Sequence, residues 1–440
     1  MGVRGARRVS TSPATLRPIG AVAECGTGEL TAAIDAARRA LRAWQGRSAP
    51  ERATLLGEAA SGILRRAAAL AELHARESGQ VYCESLDCVR AAAAYFRKGT
   101  APAARVERGR PAAACDDGGV AAVPVRGNAS LLDWARSVSR LLALGSTVVC
   151  LPSSPGALTV LAAAACLDAL PSGVVNVVTG DEAAVRARAG LAGVDSVAPP
   201  ADEAAATDSI FVAQGADLDL AVTGAASLRL FLNGQRRGQS ACIYVADSVA
   251  DPFTERLHEF LAFLEAGDPC KRITDLGPLA SAAMLGRVED AVGVALRGGA
   301  RLKLGGRRYQ PWGLPGYFFQ PTILIDRSGR AERGDDSISG PVVVLVPVRD
   351  IAAAVRAGQR RGAGIRLALF AGDPSPDLRA LASAGFAVRM RESPRSVDRL
   401  CEALEPRADD PGQPIIELVT ELRPDWFPYR RRPPQGVESA

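Results

Sequence analysis

The sequence predicts a two-lobed α/β protein, on three observations. Its first third reads as amphipathic helix. Past Gly118, short apolar runs alternate with helical stretches. Beyond residue 232 the alternation starts over with new strands. Strand–helix–strand alternation implies parallel sheets with right-handed crossovers. A chain of 440 residues, 48% of them hydrophobic, can fill two or three cores.

The elements follow in order. Residues 1–30 are expected to be a flexible segment, because MGVRGARRVSTSPATLRP is basic, contains Ser and Thr, and has no acid. That composition fits a disordered arm in a cytoplasmic protein; the alternative is a transit peptide to an organelle matrix. Over residues 31–45, Ile34, Ala37, Leu41 and Trp44 share one helical face. Ser48 and Glu51 form a capping box, and Leu55, Leu56, Ile63 and Leu64 continue the stripe. A further helix spans Leu70–Arg76. GGVAAVPV is a short strand, STVVCLP (146–152) a second, PGALTVLAAAACLDAL a helix and SGVVNVVTG (172–180) a third strand. ADLDLAVTGAAS begins a helix. ACIYVAD (241–247) is a strand, DPFTERLHEFLAFLEAG a helix, RVEDAVGVALRGGARLKLGG a helix and strand, and GPVVVLVPV (340–348) a buried strand. IIELVTELRP is an extended terminal segment of the kind that leaves its own domain to pair with another sheet.

Composition excludes several classes of function. The net charge is +5, with acids interspersed and no basic run interleaved with aromatics, so no nucleic-acid partner is expected. No apolar run is long enough to span a membrane. The nine cysteines lack Cys-x-x-Cys spacing and the histidines are only His74 and His258, so no metal site is expected. Scattered thiols fit a reducing compartment.

From about Ile34 to Phe427 the chain resembles the aldehyde dehydrogenase superfamily. The carriers, in family order, are ALGSTVVCLPS, LPSGVVNVVTGD, ADLDLAVTGA, FLNGQ, GDPCKRITDLGPLAS, GGARLKLGG, GYFFQPTILID, SGPVVVLVPV, LALFAGD and LVTELRP. The resemblance implies a Rossmann-like parallel-sheet domain, a second, catalytic-type α/β domain and a β oligomerisation arm. The expected division is 1–30 flexible; 31–231 cofactor-type, with 112–127 a hairpin of the arm; 232–405 catalytic-type; and 406–440 the terminal oligomerisation strand and tail. It also implies oxidation of an aldehyde to an acid with NAD or NADP. A cysteine thiolate attacks the carbonyl, a glutamate activates water, and an asparagine with a backbone N–H holds the oxyanion.

Each of those parts has a position here. The nucleophile follows a Gly-Gln pair by two residues; Gly234-Gln235 puts Arg237 in that slot. Counting eight back from Val245 gives Arg237 again. An arginine stays cationic and cannot form a thiohemiacetal. Cys242 is either a displaced nucleophile or a buried strand cysteine. Glu203 lies near the general-base offset, but no Gly-Gly follows it, and its segment is short by on the order of twenty residues. It is either that base or a surface glutamate. Asn128 aligns with the oxyanion asparagine and is equally an ordinary turn residue after Gly127. Leu151, Ser154 and Ser337 stand where the resemblance implies polar anchors for the dinucleotide. Two prolines in VAPPADE replace N–H donors expected at a helix start.

The expectation is therefore a pseudoenzyme: a structural or regulatory subunit, pairing with itself or with an active relative, with no cofactor. The alternative is active NAD(P)-dependent aldehyde oxidation with a rearranged site built on Cys242 and Glu203. A third possibility is an anion-binding cleft with Arg237 at its floor; an internal carboxylate partner for Arg237 is the competing reading.

Overall fold

The described residues start with a β-ladder. Arg7–Thr11 (β1) and Pro18–Ala23 (β2) pair antiparallel, with Arg7 opposite Ala23 and Ser10 opposite Gly20. The turn between them is closed by Leu16 N–H donating to Ser12 O at 2.8 Å and Ser12 N–H to Arg17 O at 2.9 Å. Over residues 6–30 this corrects the expectation of a flexible segment; residues 1–5 lie outside the described residues. The ladder is built from backbone groups, which composition does not report. The computed structural model describes residues 6–98, 118–125, 130–153, 155–180, 193–198, 208–235, 239–328, 338–350, 354, 366–370, 387–391 and 415–419.

Four helices follow. Thr27–Gln45 (α1) buries Leu30, Ile34, Ala37 and Trp44. Ala49–Arg65 (α2) starts at the expected capping box, where Ser48 N–H donates to the Glu51 carboxylate at 2.7 Å and Ser48 Oγ accepts from Glu51 N–H. Ala67–Ser78 (α3) ends at Gly79, at φ 79°. Tyr82–Lys98 (α4) buries Cys88, Val89, Ala91–Ala94 and Phe96.

A four-stranded sheet comes next, in the order β5-β4-β3-β6, all parallel. Its strands are Val120–Val125 (β3), Thr147–Pro152 (β4), Val175–Val177 (β5) and Ser196–Val197 (β6). Helix Ser130–Ala143 (α5) precedes β4, and Ala157–Ala164 (α6) completes the expected strand–helix–strand unit between β4 and β5. The 112–127 hairpin is corrected here: residues 120–125 form an inner parallel strand, and 112–117 lie outside the described residues. VAAVPV is apolar on both faces, as a strand covered from both sides must be. Leu30, Ile34 and Ala37 of α1 cover one face, and Phe96 and Trp134 of α4 and α5 the other.

The second sheet has eight strands in the order β13-β14-β12-β7-β8-β11-β10-β9. They are Asp208–Val212 (β7), Gln239–Ala246 (β8), Arg301–Leu304 (β9), Thr322–Ile325 (β10), Val342–Val348 (β11), Arg366–Phe370 (β12), Ala387–Arg391 (β13) and Ile415–Val419 (β14). All neighbours are parallel except edge strand β9, which runs antiparallel to β10. Helices Leu218–Leu230 (α7) and Asp247–Ala262 (α8) cover one face through Val222, Leu230, Phe253 and Leu257. Ala282–Arg297 (α9) covers the other through Leu285, Val288 and Val292.

Two expected boundaries move. β7 pairs with β8 and β12, so Asp208–Val212 already belong to the second lobe, ahead of residue 232. The terminal strand was expected to leave for a partner, but Ile415–Val419 is hydrogen-bonded on both sides within its own chain, between β12 and β13. Residues 420–440 lie outside the described residues. Among the described residues, no helix is long and apolar enough to cross a membrane.

Candidate functional site

The Gly-Gln pair sits on a loop with unusual backbone geometry. Helix α7 ends at Leu230, and Phe231–Gly234 form a 3-10 turn leading to β8. Leu232 and Asn233 are left-handed, at φ 58° and 55°, and Gly234 follows at 68°. A non-glycine residue in that region costs ~1–2 kcal/mol and persists only where its surroundings fix it.

Here the surroundings do fix it. Leu232 N–H donates to Glu84 Oε2 at 3.1 Å, across from α4. Asn233 Nδ2 donates to Gly79 O and Pro278 O, each at 3.0 Å, and Asn233 Oδ1 accepts Gly277 N–H at 3.0 Å. Gly234 O accepts Gly340 N–H at 2.7 Å and Arg229 Nη1 at 3.1 Å. Gln235 Oε1 accepts Ala280 N–H at 2.9 Å. Three backbone segments, at Gly79, Gly277–Ala280 and Gly340, converge on this loop. A Cβ on Gly234 would lie 2.0 Å from Gly340 O, and one on Gly277 1.9 Å from Gly79 O. Only glycine fits such approaches.

Arg229 is fully buried at the foot of the loop. Its guanidinium also donates to Ile338 O at 2.6 Å, tying the loop to the 338–340 segment. Burial pushes the pKa of Glu84 up to about 8, against the pull of the Leu232 N–H and Gln80 hydrogen bonds.

The other site residues fall as follows. Cys242 lies in β8, opposite Val344 of β11, and is 2% exposed. Its neighbours form an apolar cluster with Leu279, Leu285, Val288 and Val344, on the face covered by α9. Leu151 is the penultimate residue of β4 and is 3% exposed, in a cluster with Leu30, Ile34, Val149 and Val178. Arg237, Asn128, Glu203, Ser154 and Ser337 lie outside the described residues. Among the described residues, no group of His, Cys, Asp and Glu could hold a metal ion.

Sequence reasoning singled out the Gly-Gln pair but not its supports, Glu84, Arg229 and Asn233. A signal for Glu84 was present: it shares a helical stripe with Cys88, Ala91, Ala92 and Tyr95, all buried. A lone acid on an apolar stripe needs a partner.

The scaffold and the loop together define a two-sheet α/β architecture with a braced Gly-Gln turn between helix and strand. The family model for the aldehyde dehydrogenase family matches residues 4–197 and 191–383, and the chain belongs to that family. It is 29% identical over 397 residues to the succinate-semialdehyde dehydrogenase [NADP(+)] GabD of Escherichia coli, a match covering 83% of this chain and 82% of that protein. Among solved structures, it superimposes on an Escherichia coli NADP-dependent enzyme with a TM-score of 0.76 and 26% identity, covering 96% of this chain and 88% of the other. Lactaldehyde dehydrogenase from Escherichia coli superimposes with a TM-score of 0.73 and 26% identity, covering 86% of each chain.

A dinucleotide is therefore the cofactor the family implies. At Leu151, the one described position where the resemblance places an adenosine-ribose anchor, the side chain is apolar and enclosed by α1. It supplies no hydrogen bond, so this position does not fit that role.

Proposed function

We propose that this chain is a catalytically silent member of its family, acting as a structural or regulatory subunit. It assembles with copies of itself or with an active relative. The observation that supports this reading is a mismatch of parts. The seat for the Gly-Gln pair is fully built, yet the residue two positions on is Arg237, which cannot form a thiohemiacetal. The nearest following cysteine, Cys242, is enclosed within a central strand.

The test is an assay of purified protein with succinate semialdehyde and lactaldehyde, each with NAD and with NADP. The expected result is no reduced cofactor. A rate that disappears in Cys242→Ser would overturn the proposal.

The second reading is an active NAD(P)-dependent dehydrogenase using Cys242 and Glu203. It draws on the relatives, which are named as dehydrogenases at 28–29% identity. NAD or NADP is the cofactor on this second reading. Thermal unfolding with each dinucleotide separates the cases: a bound ligand raises the midpoint by mass action, and a cleft with a poor anchor responds weakly.

A further inference from the structure

Among the described residues, Leu16, Leu232, Asn233 and Trp312 are the non-glycines with a left-handed backbone. Leu232 and Asn233 belong to the braced loop. The other two stand on the surface. Leu16, at φ 58°, lies in the β1–β2 turn, and Trp312, at φ 55°, is the middle of a 3-10 turn over Pro311–Gly313. That backbone costs free energy for any residue with a Cβ, and more for a bulky one. Neither side chain offsets the cost by burial: Trp312 is 79% exposed, and Leu16 is exposed too. Such outliers collect where a protein meets a ligand or a partner.

The two turns belong to one surface. Gly316, just past Trp312, is packed on the β1–β2 turn: a Cβ there would lie 2.2 Å from Pro13 O, and Tyr317 N–H donates to Pro13 O at 3.0 Å. Trp312 also lies against the loop that follows α8, where its Cδ1 would be 3.5 Å from a Cβ on Gly267. That loop folds back through Lys271 N–H to Asp268 O at 3.0 Å and Thr274 N–H to Lys271 O at 3.1 Å. Its tip is Lys271, Arg272 and Ile273, all exposed. Phe263, directly after α8, leads into the same loop and is 80% exposed.

The charge of this face is positive. Its acids are engaged or set back. Glu72 pairs with Arg76, Asp268 Oδ1 accepts Cys270 N–H at 3.0 Å, and Asp275 Oδ2 accepts Glu265 N–H at 3.0 Å. Glu265 is half-buried and acts on Tyr309. Among the described residues, no acid pairs with Lys271, Arg272 or the exposed Arg17 of the β1–β2 turn.

We propose that this face docks the protein on a membrane carrying anionic phospholipids, without spanning it. Trp312, Leu16, Ile273 and Phe263 enter the headgroup region, where aromatic and aliphatic tips are favoured. Lys271, Arg272 and Arg17 meet the lipid phosphates, an attraction that salt screens. A fluid bilayer takes apolar tips on tight turns without a matching groove. A second copy on a two-fold axis would bring two sets of these cations together, which like-charge repulsion opposes. The inference goes beyond the silent-subunit reading and does not depend on it.

The test is co-sedimentation of the full chain with vesicles of phosphatidylcholine plus phosphatidylserine, and with vesicles of phosphatidylcholine alone. Wild type should pellet with the first, far less with the second, and leave the first as salt approaches about 1 M. Trp312→Ala should bind about tenfold more weakly, and Lys271→Glu with Arg272→Glu at least about tenfold more weakly. All three side chains are exposed, so thermal midpoints should hold. Reversing Arg39 and Arg42 in the same way, both exposed on α1, should leave binding as in wild type. Failure of wild type to pellet with the anionic vesicles would refute the proposal. Equal losses from the two double variants would refute it as well, since net charge alone would then explain the binding. Self-association that Trp312→Ala abolishes, with vesicle binding untouched, would give the face to a second copy instead.

Discussion

Gly234 is a position where sequence and geometry constrain each other directly. Its φ of 68° and the 2.0 Å approach of a Cβ to Gly340 O leave room for no other residue. Gly234→Ala is expected to destabilise the protein by about 2–4 kcal/mol in urea unfolding. Cys242→Ser puts a hydroxyl into an apolar cluster and should cost about 1–3 kcal/mol, again read by urea unfolding. On the silent-subunit reading, Cys242 should also react slowly with a thiol reagent at neutral pH until the protein unfolds. At this scale the sequence was partly readable. The Gly-Gln pair, and the arginine two residues on in the slot that the family resemblance gives the nucleophile, can be found in the sequence. Glu84, Asn233 and Arg229 could not be assigned, because each makes its bonds to backbone atoms 44 to 154 residues away or to a strained turn that spacing does not reveal.

Elements were more legible than residues where the signal was local. The Ser48–Glu51 capping box lies where the spacing put it, and Ser48→Ala should cost ~1 kcal/mol of stability by removing the acceptor for Glu51 N–H. The helix stripe of Ile34, Ala37 and Trp44 is buried as expected. Strand existence was also legible, since VAAVPV, TVVCLP and VVVLVPV are apolar runs of strand length. Strand partners were not. Val120–Val125 could be an arm hairpin or an inner strand on composition alone, and only the parallel register with Val148 and Ser196 decides. The same holds for Arg7–Thr11, whose alternation is too weak to announce a ladder.

For the whole molecule, the two-lobed α/β architecture was readable from the repeated alternation of strand and helix, and its boundary was not. Asp208–Val212 belongs to the second sheet by pairing, a non-local fact. Global stability should also fall on the acid side of neutrality. His74 is buried, and desolvation pushes its pKa from an ordinary 6.5 down to about 4. A lowered folded-state value means the neutral imidazole stabilises fully above about pH 6.5, and that contribution, ~3 kcal/mol, is lost as pH falls through about 4. Thermal midpoints of wild type and His74→Gln, measured across this range, check it: the variant should show the shallower slope.

The place of Ile415–Val419 carries a consequence for how the protein is made. The last of the described strands is not an edge; it is the filler between Arg366–Phe370 and Ala387–Arg391. Until residues 415–419 have been made, Ala387–Arg391 has no neighbour on that side among the described strands, and a gap of one strand stays open to any extended peptide nearby. A premature stop before residue 415 would therefore leave the nascent sheet divided, with one strand stranded from the rest.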